Sequence, residues 1–187
     1  MNNPYEKCPI FENENFTIRF VDAADAPDLL LVYSDEKAVP IFNSDNCVDN
    51  FHYTSLERMQ KTIDFWQSEY QKKYYVRWTI LDKNINHAIC TIELFNRKAD
   101  DYFNNCGLLR LDLRSDYERQ DRIFEILSLI LTFAFDLFDC PMLATKVPPF
   151  AAERKIAVEK LGFTLSEEKL IGGHNKEAYT DYYILKK

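Results

Sequence analysis

The ten residues Ile126–Phe135 (ILSLILTFAF) are interrupted only by Ser128 and Thr132 and are bracketed by Glu125 and Asp136. A membrane span needs about 20 apolar residues, so this stretch is far too short to be one. It lies in a segment, Glu118 to Phe138, whose pattern predicts a long helix apolar nearly all round in its second half. Such a helix must be covered on several sides, which a sheet and neighbouring helices can do. The rest of the chain supplies both kinds of cover.

Phe16–Val21 (FTIRFV) is β-branched and aromatic and predicts a strand. The acidic, proline-containing stretch after it opens a helix reaching about Ser34. The polar segment Asp35–Tyr53, broken by Pro40, reads as a loop with at most a short helix. Thr54 and Glu57 have capping-box spacing, and Leu56, Met59, Ile63, Trp66 and Tyr70 follow on one helical face. Tyr75–Asp82 and His87–Phe95 predict two strands joined by a short turn, and Gly107–Leu113 a third. Beyond the long helix, Met142–Val147 reads as a strand and Ala151–Lys160 as a helix stopped by Gly162. Thr164–Leu170 and Ala178–Leu185 flank the Gly172-Gly173 turn as two more strands. Strands thus arrive both as a meander and through helical crossovers. The expected fold is α/β of the α+β type, with a mixed, mostly antiparallel sheet of about six to seven strands and about four helices. Residues 1–15 are expected to form an N-terminal extension and 16–187 a single domain.

Composition narrows the partners. With 23 Lys+Arg against 30 Asp+Glu the net charge is −7, which argues against general nucleic-acid binding. The N-terminus lacks the apolar core of a secretory signal, and no polybasic run offers a membrane anchor. Five cysteines with no C-x-x-C spacing fit reduced, structural thiols and a cytoplasmic setting, and the three histidines have no metal-site spacing. No metal is expected, and the chain is expected to be a monomer or homodimer. The chain has four glycines in 187 residues, where about 7% is usual, so no glycine-rich phosphate loop exists anywhere in it.

The element order and four strings together resemble the GNAT (Gcn5-related N-acetyltransferase) superfamily, in its ribosomal-protein alanine acetyltransferase branch. The strings are Phe16–Leu30 (FTIRFVDAADAPDLL), Arg77–Asp82 (RWTILD), Leu109–Tyr117 (LRLDLRSDY) and Glu159–Phe163 (EKLGF). The resemblance implies a sheet splayed in its middle and an acetyl-CoA-dependent transfer to a primary amine by a general-base mechanism. It also implies that the pantetheine arm pairs with the Gly107–Leu113 strand, at Leu111 and Leu113. The pyrophosphate would meet Glu118, Arg119, Gln120, Asp121, Arg122 and Ile123 at the opening of the long helix, with Ala151 and Arg154 on the last helix completing the site.

Several of those positions depart from the family pattern. Glu118 stands where the loop has Arg or Gln, Asp121 where it has its first Gly, and Ile123 where it has Gly or Ala. Ala151 and Arg154 replace an Asn and a Ser, and Val158 replaces the tyrosine some relatives use as a general acid. A carboxylate at 121 and side chains at 121 and 123 work against a bound pyrophosphate, whereas Arg119, Gln120 and Arg122 could meet it with side chains. Glu93 and Asp112 are the carboxylates the topology best places as a general base. Arg110, Asp112 and Arg114 alternate with leucines and so share a strand face. Three functions follow: an N-acetyltransferase of unknown amine acceptor, the same with a phosphate site rebuilt from Arg119, Arg122 and Arg154, or, alternatively, a ligand- or protein-binding module that has lost acetyl-CoA.

Overall fold

The computed structural model describes residues 3–187. The first helix, α1 (Ala26–Tyr33), is prepared by a single turn over Ala23–Asp25, where Asp22 caps the Ala24 amide and Asp25 accepts from the Asp22 amide. Helix α2 (Leu56–Gln71) starts one residue later than the capping-box spacing implies, because Ser55 rather than Thr54 accepts from the Arg58 amide. Met59, Ile63, Trp66 and Tyr70 are buried as expected, but Leu56 is 42% exposed. Leu56 is the first residue of the helix, beyond the edge of the core it was expected to join.

Eight strands form one sheet in the order β1-β2-β3-β4-β5-β6-β10-β7. They are β1 (Phe11–Glu12), β2 (Phe16–Phe20), β3 (Val76–Asp82), β4 (His87–Arg97), β5 (Cys106–Leu113), β6 (Met142–Lys146), β7 (Thr164–Leu165) and β10 (Tyr182–Lys186). A separate hairpin pairs β8 (Leu170–Ile171) with β9 (Ala178–Tyr179). The sheet exceeds the expected strand count because Phe11–Glu12, in the N-terminal segment, adds an edge strand antiparallel to β2. The two C-terminal strands each break in two, so that β8 and β9 leave the sheet as the hairpin.

All neighbours are antiparallel except β5 and β6, and that pair is where the sheet opens. β5 pairs with β4 along its whole length but with β6 only from Cys106 to Leu109. Gly107 permits the close approach in the paired half: a Cβ there would lie 2.4 Å from a Leu143 methyl and 2.9 Å from Cys140 Sγ. From Arg110 to Leu113 the strand edge facing β6 has no strand partner.

Helices α3 (Gln120–Leu137) and α4 (Ala152–Lys160) cover one sheet face, and α1 and α2 the other. Ile123, Ile126, Leu127, Ile130, Leu131 and Ala134 bury the inner stripe of α3 against Trp78, Ile92, Leu109 and Leu111. Each such aliphatic side chain contributes about 1.5–3 kcal/mol on leaving water. The back of the helix is less covered than its composition implies, since Phe133 stays half-exposed and stacks on Phe11 from β1. The helix also begins at Gln120 rather than Glu118, because a single turn over Ser115–Tyr117 separates it from β5. Gly162 ends α4 with φ of 91°, the left-handed conformation its place after the helix requires.

Candidate functional site

The free edge of β5, the start of α3 and the start of α4 converge on the gap in the sheet. Arg154 of α4, 2% exposed, fills it. Its Nη1 donates to the Leu111 carbonyl at 2.9 Å, while Nε and Nη2 donate to the two carboxylate oxygens of Glu118, each at 2.7 Å. Every nitrogen of the guanidinium is thus engaged. Burial opposes the arginine's charge, but the facing Glu118 carboxylate outweighs it and shifts the Arg154 pKa upward. A bidentate pair of this kind is both strong and geometrically strict.

The start of α3 is closed in a similar way. The Gln120 amide, a donor that an anion would need, donates to Glu153 Oε2 at 2.8 Å, and Lys160 reaches Gln120 Oε1 at 2.6 Å. Arg119 donates to Asp121 at 3.1 Å, and Arg122 lies 3.9 Å from Asp121 and 3.7 Å from Glu125. Ile123 is fully buried, Leu113 and Ala151 nearly so. The structure therefore brings Leu111, Glu118, Ala151 and Arg154 to one place, with Arg119, Gln120, Asp121 and Arg122 beside it. Their polar groups answer one another. A pantetheine arm would compete with Arg154 for Leu111, and a pyrophosphate would meet Glu118, Asp121 and Glu153. As they stand, these residues do not fit acetyl-CoA.

The face of the sheet under α1 and α2 carries a second, different arrangement. Arg77, Glu93 and Arg110 are direct cross-strand neighbours on β3, β4 and β5. Glu93 accepts from Arg77 Nη2 through one oxygen and from Arg110 Nη1 at 2.9 Å through the other. Arg77 Nη1 also donates to Asp112 Oδ2 at 2.9 Å, and Tyr33 donates its hydroxyl proton to the same oxygen at 2.7 Å. The Arg77 guanidinium lies over the Trp66 ring at 4.2 Å. Burial would raise the Glu93 pKa, yet the two arginines more than offset it and hold it below the ordinary carboxylate value. Glu93 and Asp112 are both inside this network, 3% and 2% exposed. A carboxylate clasped by two guanidiniums is a poor base near neutral pH. Arg114, whose alternation groups it with them, instead pairs with Asp116 at the strand end.

Above the network opens a cavity of about 820 Å³, roofed by the loop around Asn46–Phe51 and walled by α2. Arg58, Lys61, Trp66 and His174 reach it, none of which the sequence pattern singles out as site residues. One sign was present: Arg77 lies between Val76 and Trp78 in a strand buried on both faces, where a charge needs a partner on the next strand.

An acetyltransferase (GNAT) domain model matches residues 15–164. The chain belongs to the GNAT acetyltransferase family. Solved structures of that kind share the fold of this GNAT domain. A ribosomal-protein-S5-alanine acetyltransferase from Vibrio fischeri aligns with a TM-score of 0.69 at 16% identity, over 96% of each chain. RimL, a ribosomal L7/L12 alpha-N-protein acetyltransferase in complex with coenzyme A, aligns with a TM-score of 0.71 at 15% identity, over 95% of this chain and 98% of the other. The microcin C7 self-immunity acetyltransferase MccE, in complex with acetyl-CoA and AMP, gives 0.69 at 14% identity and 94% coverage of each. No curated protein matches the GNAT domain by sequence. Among the described residues no helix is long and apolar enough to cross a membrane.

Proposed function

We propose that this GNAT domain is a ligand-binding protein that works through the cavity beneath α2, and that its family's cofactor groove is closed by its own side chains. One observation carries the reading: Arg154 sits in the gap of the sheet with every guanidinium nitrogen engaged, two on Glu118 and one on the Leu111 carbonyl. Glu118 and Arg154 both stand at positions where the resemblance expects cofactor-contacting residues of other types. Together they exchange an anion-binding pair for an internal ion pair.

The test is calorimetric titration with acetyl-CoA at low and moderate salt, on the wild type and on the double variant Glu118→Arg with Arg154→Ser. The wild type is expected to bind no acetyl-CoA up to millimolar concentration, and the double variant to gain measurable binding as the gap empties. Micromolar binding by the wild type would overturn the closed groove.

A second reading, acetyl-CoA-dependent transfer to a primary amine, is supported by family membership and by relatives solved with coenzyme A or acetyl-CoA. It requires the Arg154–Glu118 pair to part and Arg119 and Arg122 to exchange their carboxylate partners for phosphate oxygens. Loss of the wild type's acetyl-CoA binding in Arg119→Ala or Arg122→Ala would establish that version.

A further inference from the structure

The cavity beneath α2 can be sorted by what its polar side chains still offer. Four cations line it, Arg58, Lys61, Arg77 and Arg110, against two carboxylates, Asp49 and Glu93. Neither carboxylate is free. Glu93 has one oxygen on each of two arginines. Asp49 accepts from Arg58 and from the Tyr53 hydroxyl with one oxygen, and from the Phe51 amide at 3.1 Å with the other.

The donors are in surplus. Arg77 Nε and Arg110 Nε are buried without any hydrogen-bond partner. A buried donor left unpaired is costly, so two of them on the strands flanking Glu93, β3 and β5, are a shortage of acceptors built into the site. Among the described residues, Arg58 engages only Nη2, and Lys61 engages only Glu57, on the exposed side of the helix. An arginine offers five N–H groups and a lysine three, with no acceptor on either. The cavity thus has donor capacity to spare and no unpaired carboxylate, inside a chain whose net charge is −7. Phe65 and Tyr75 add an apolar wall next to the cations.

We propose that this cavity binds a small organic anion, its carboxylate or phosphate head held among Arg58, Lys61 and Arg110 and its apolar, ring-bearing body against Phe65 and Tyr75. The assignment rests on the reading that this cavity is the working end of the domain. It runs opposite to an amine acceptor site, which would present a free carboxylate to an ammonium group.

Phenylacetate, phenyl phosphate and phenethylamine share one apolar body and differ in the charge of the head, so calorimetric titration with each decides the matter. At least one anion should bind at least about tenfold more tightly than the amine, and raising the salt should weaken it. Which anion binds better tells a carboxylate site from a phosphate site. Lys61→Gln should weaken the anion at least about threefold. Arg58→Gln should do more, because it also frees Asp49, and should strengthen phenethylamine. Lys83→Gln, far from the cavity, should change nothing. Preference for phenethylamine, or no anion binding up to about 10 mM, would overturn the proposal. The acetyl-CoA titration separates the two claims. Amine preference without acetyl-CoA binding sinks the anion site and leaves the closed groove, whereas acetyl-CoA binding alongside anion preference does the reverse.

Discussion

Two arginines meet at β5, one against the free edge of the strand and one projecting from it, and they are finished to different degrees. Arg154 meets the free edge of the strand with every nitrogen paired, two on Glu118 and one on a backbone carbonyl. Arg110, on the strand itself, shares Glu93 with Arg77, bonds the Asp45 carbonyl at 3.1 Å and leaves Nε without a partner. A buried charge is tolerated when its surroundings complete it and costly when they do not. The complete one sits in the gap of the sheet, and the incomplete one keeps a donor that no group of the protein answers. Within one GNAT domain, the gap in the sheet and the cavity on the other sheet face thus differ in whether the protein's own groups complete the charge.

The largest effect that would break this contrast is loss of one partner of the closed pair. Arg154→Leu should lower the unfolding free energy by about 3–5 kcal/mol, because Glu118 is left buried and unpaired. Combining it with Glu118→Gln should restore most of that loss, read from denaturant melts. A cost under about 1 kcal/mol for the single variant would mean that the pair is solvated and the groove open. Gly107→Ala tests the zipped half of the β5–β6 junction. Its Cβ would strike Leu143 and Cys140, and an overpacking cost of about 1–3 kcal/mol is expected from the same melts.

A change of slope comes next. Because burial and the two arginines together leave Glu93 below its ordinary value of 4.5, its ion pairs stabilise the fold above that pH and are lost as pH falls through the lower, folded value. The wild type should therefore lose stability more steeply below about pH 4.5 than Glu93→Gln does, in melts run across that range. The smallest effect sharpens the difference between stability and function. Lys61 pairs only with exposed Glu57, so Lys61→Gln should alter stability by less than about 0.5 kcal/mol while still weakening anion binding. A larger stability loss would assign Lys61 to the fold instead.

How far the chain could be read without its structure differs element by element. The α2 stripe was legible from Met59 to Tyr70, since spacings of three and four residues follow from helical geometry alone. Leu56 was not, because whether the first residue of a helix lies over the core depends on what packs beneath it. The KLGF string placed Gly162 correctly, for only a residue free of Cβ strain suits that φ. The start of α3 was misplaced by two residues because Ser115–Tyr117 carries no signal separating a tight turn from a helix.

The candidate site was legible as a set of positions but not as a set of contacts. Glu118, Asp121, Ile123, Ala151 and Arg154 stood out as departures from the family pattern while they were still only letters in a chain. That Arg154 would turn to Glu118, 36 positions away, depended on β5 and β6 parting beyond Leu109 and leaving a space the size of a guanidinium. The cavity was least visible of all, because Arg58, Lys61, Arg77 and Arg110 come from three separate elements.

Local order and composition determined this protein's element types, its two-faced sheet and its lack of a glycine cradle, since periodicity, capping and backbone freedom act within a few residues. Which charges would answer one another was decided only in the folded chain. Whether a buried charge is complete depends on the direction and desolvation of groups that only the tertiary structure brings together.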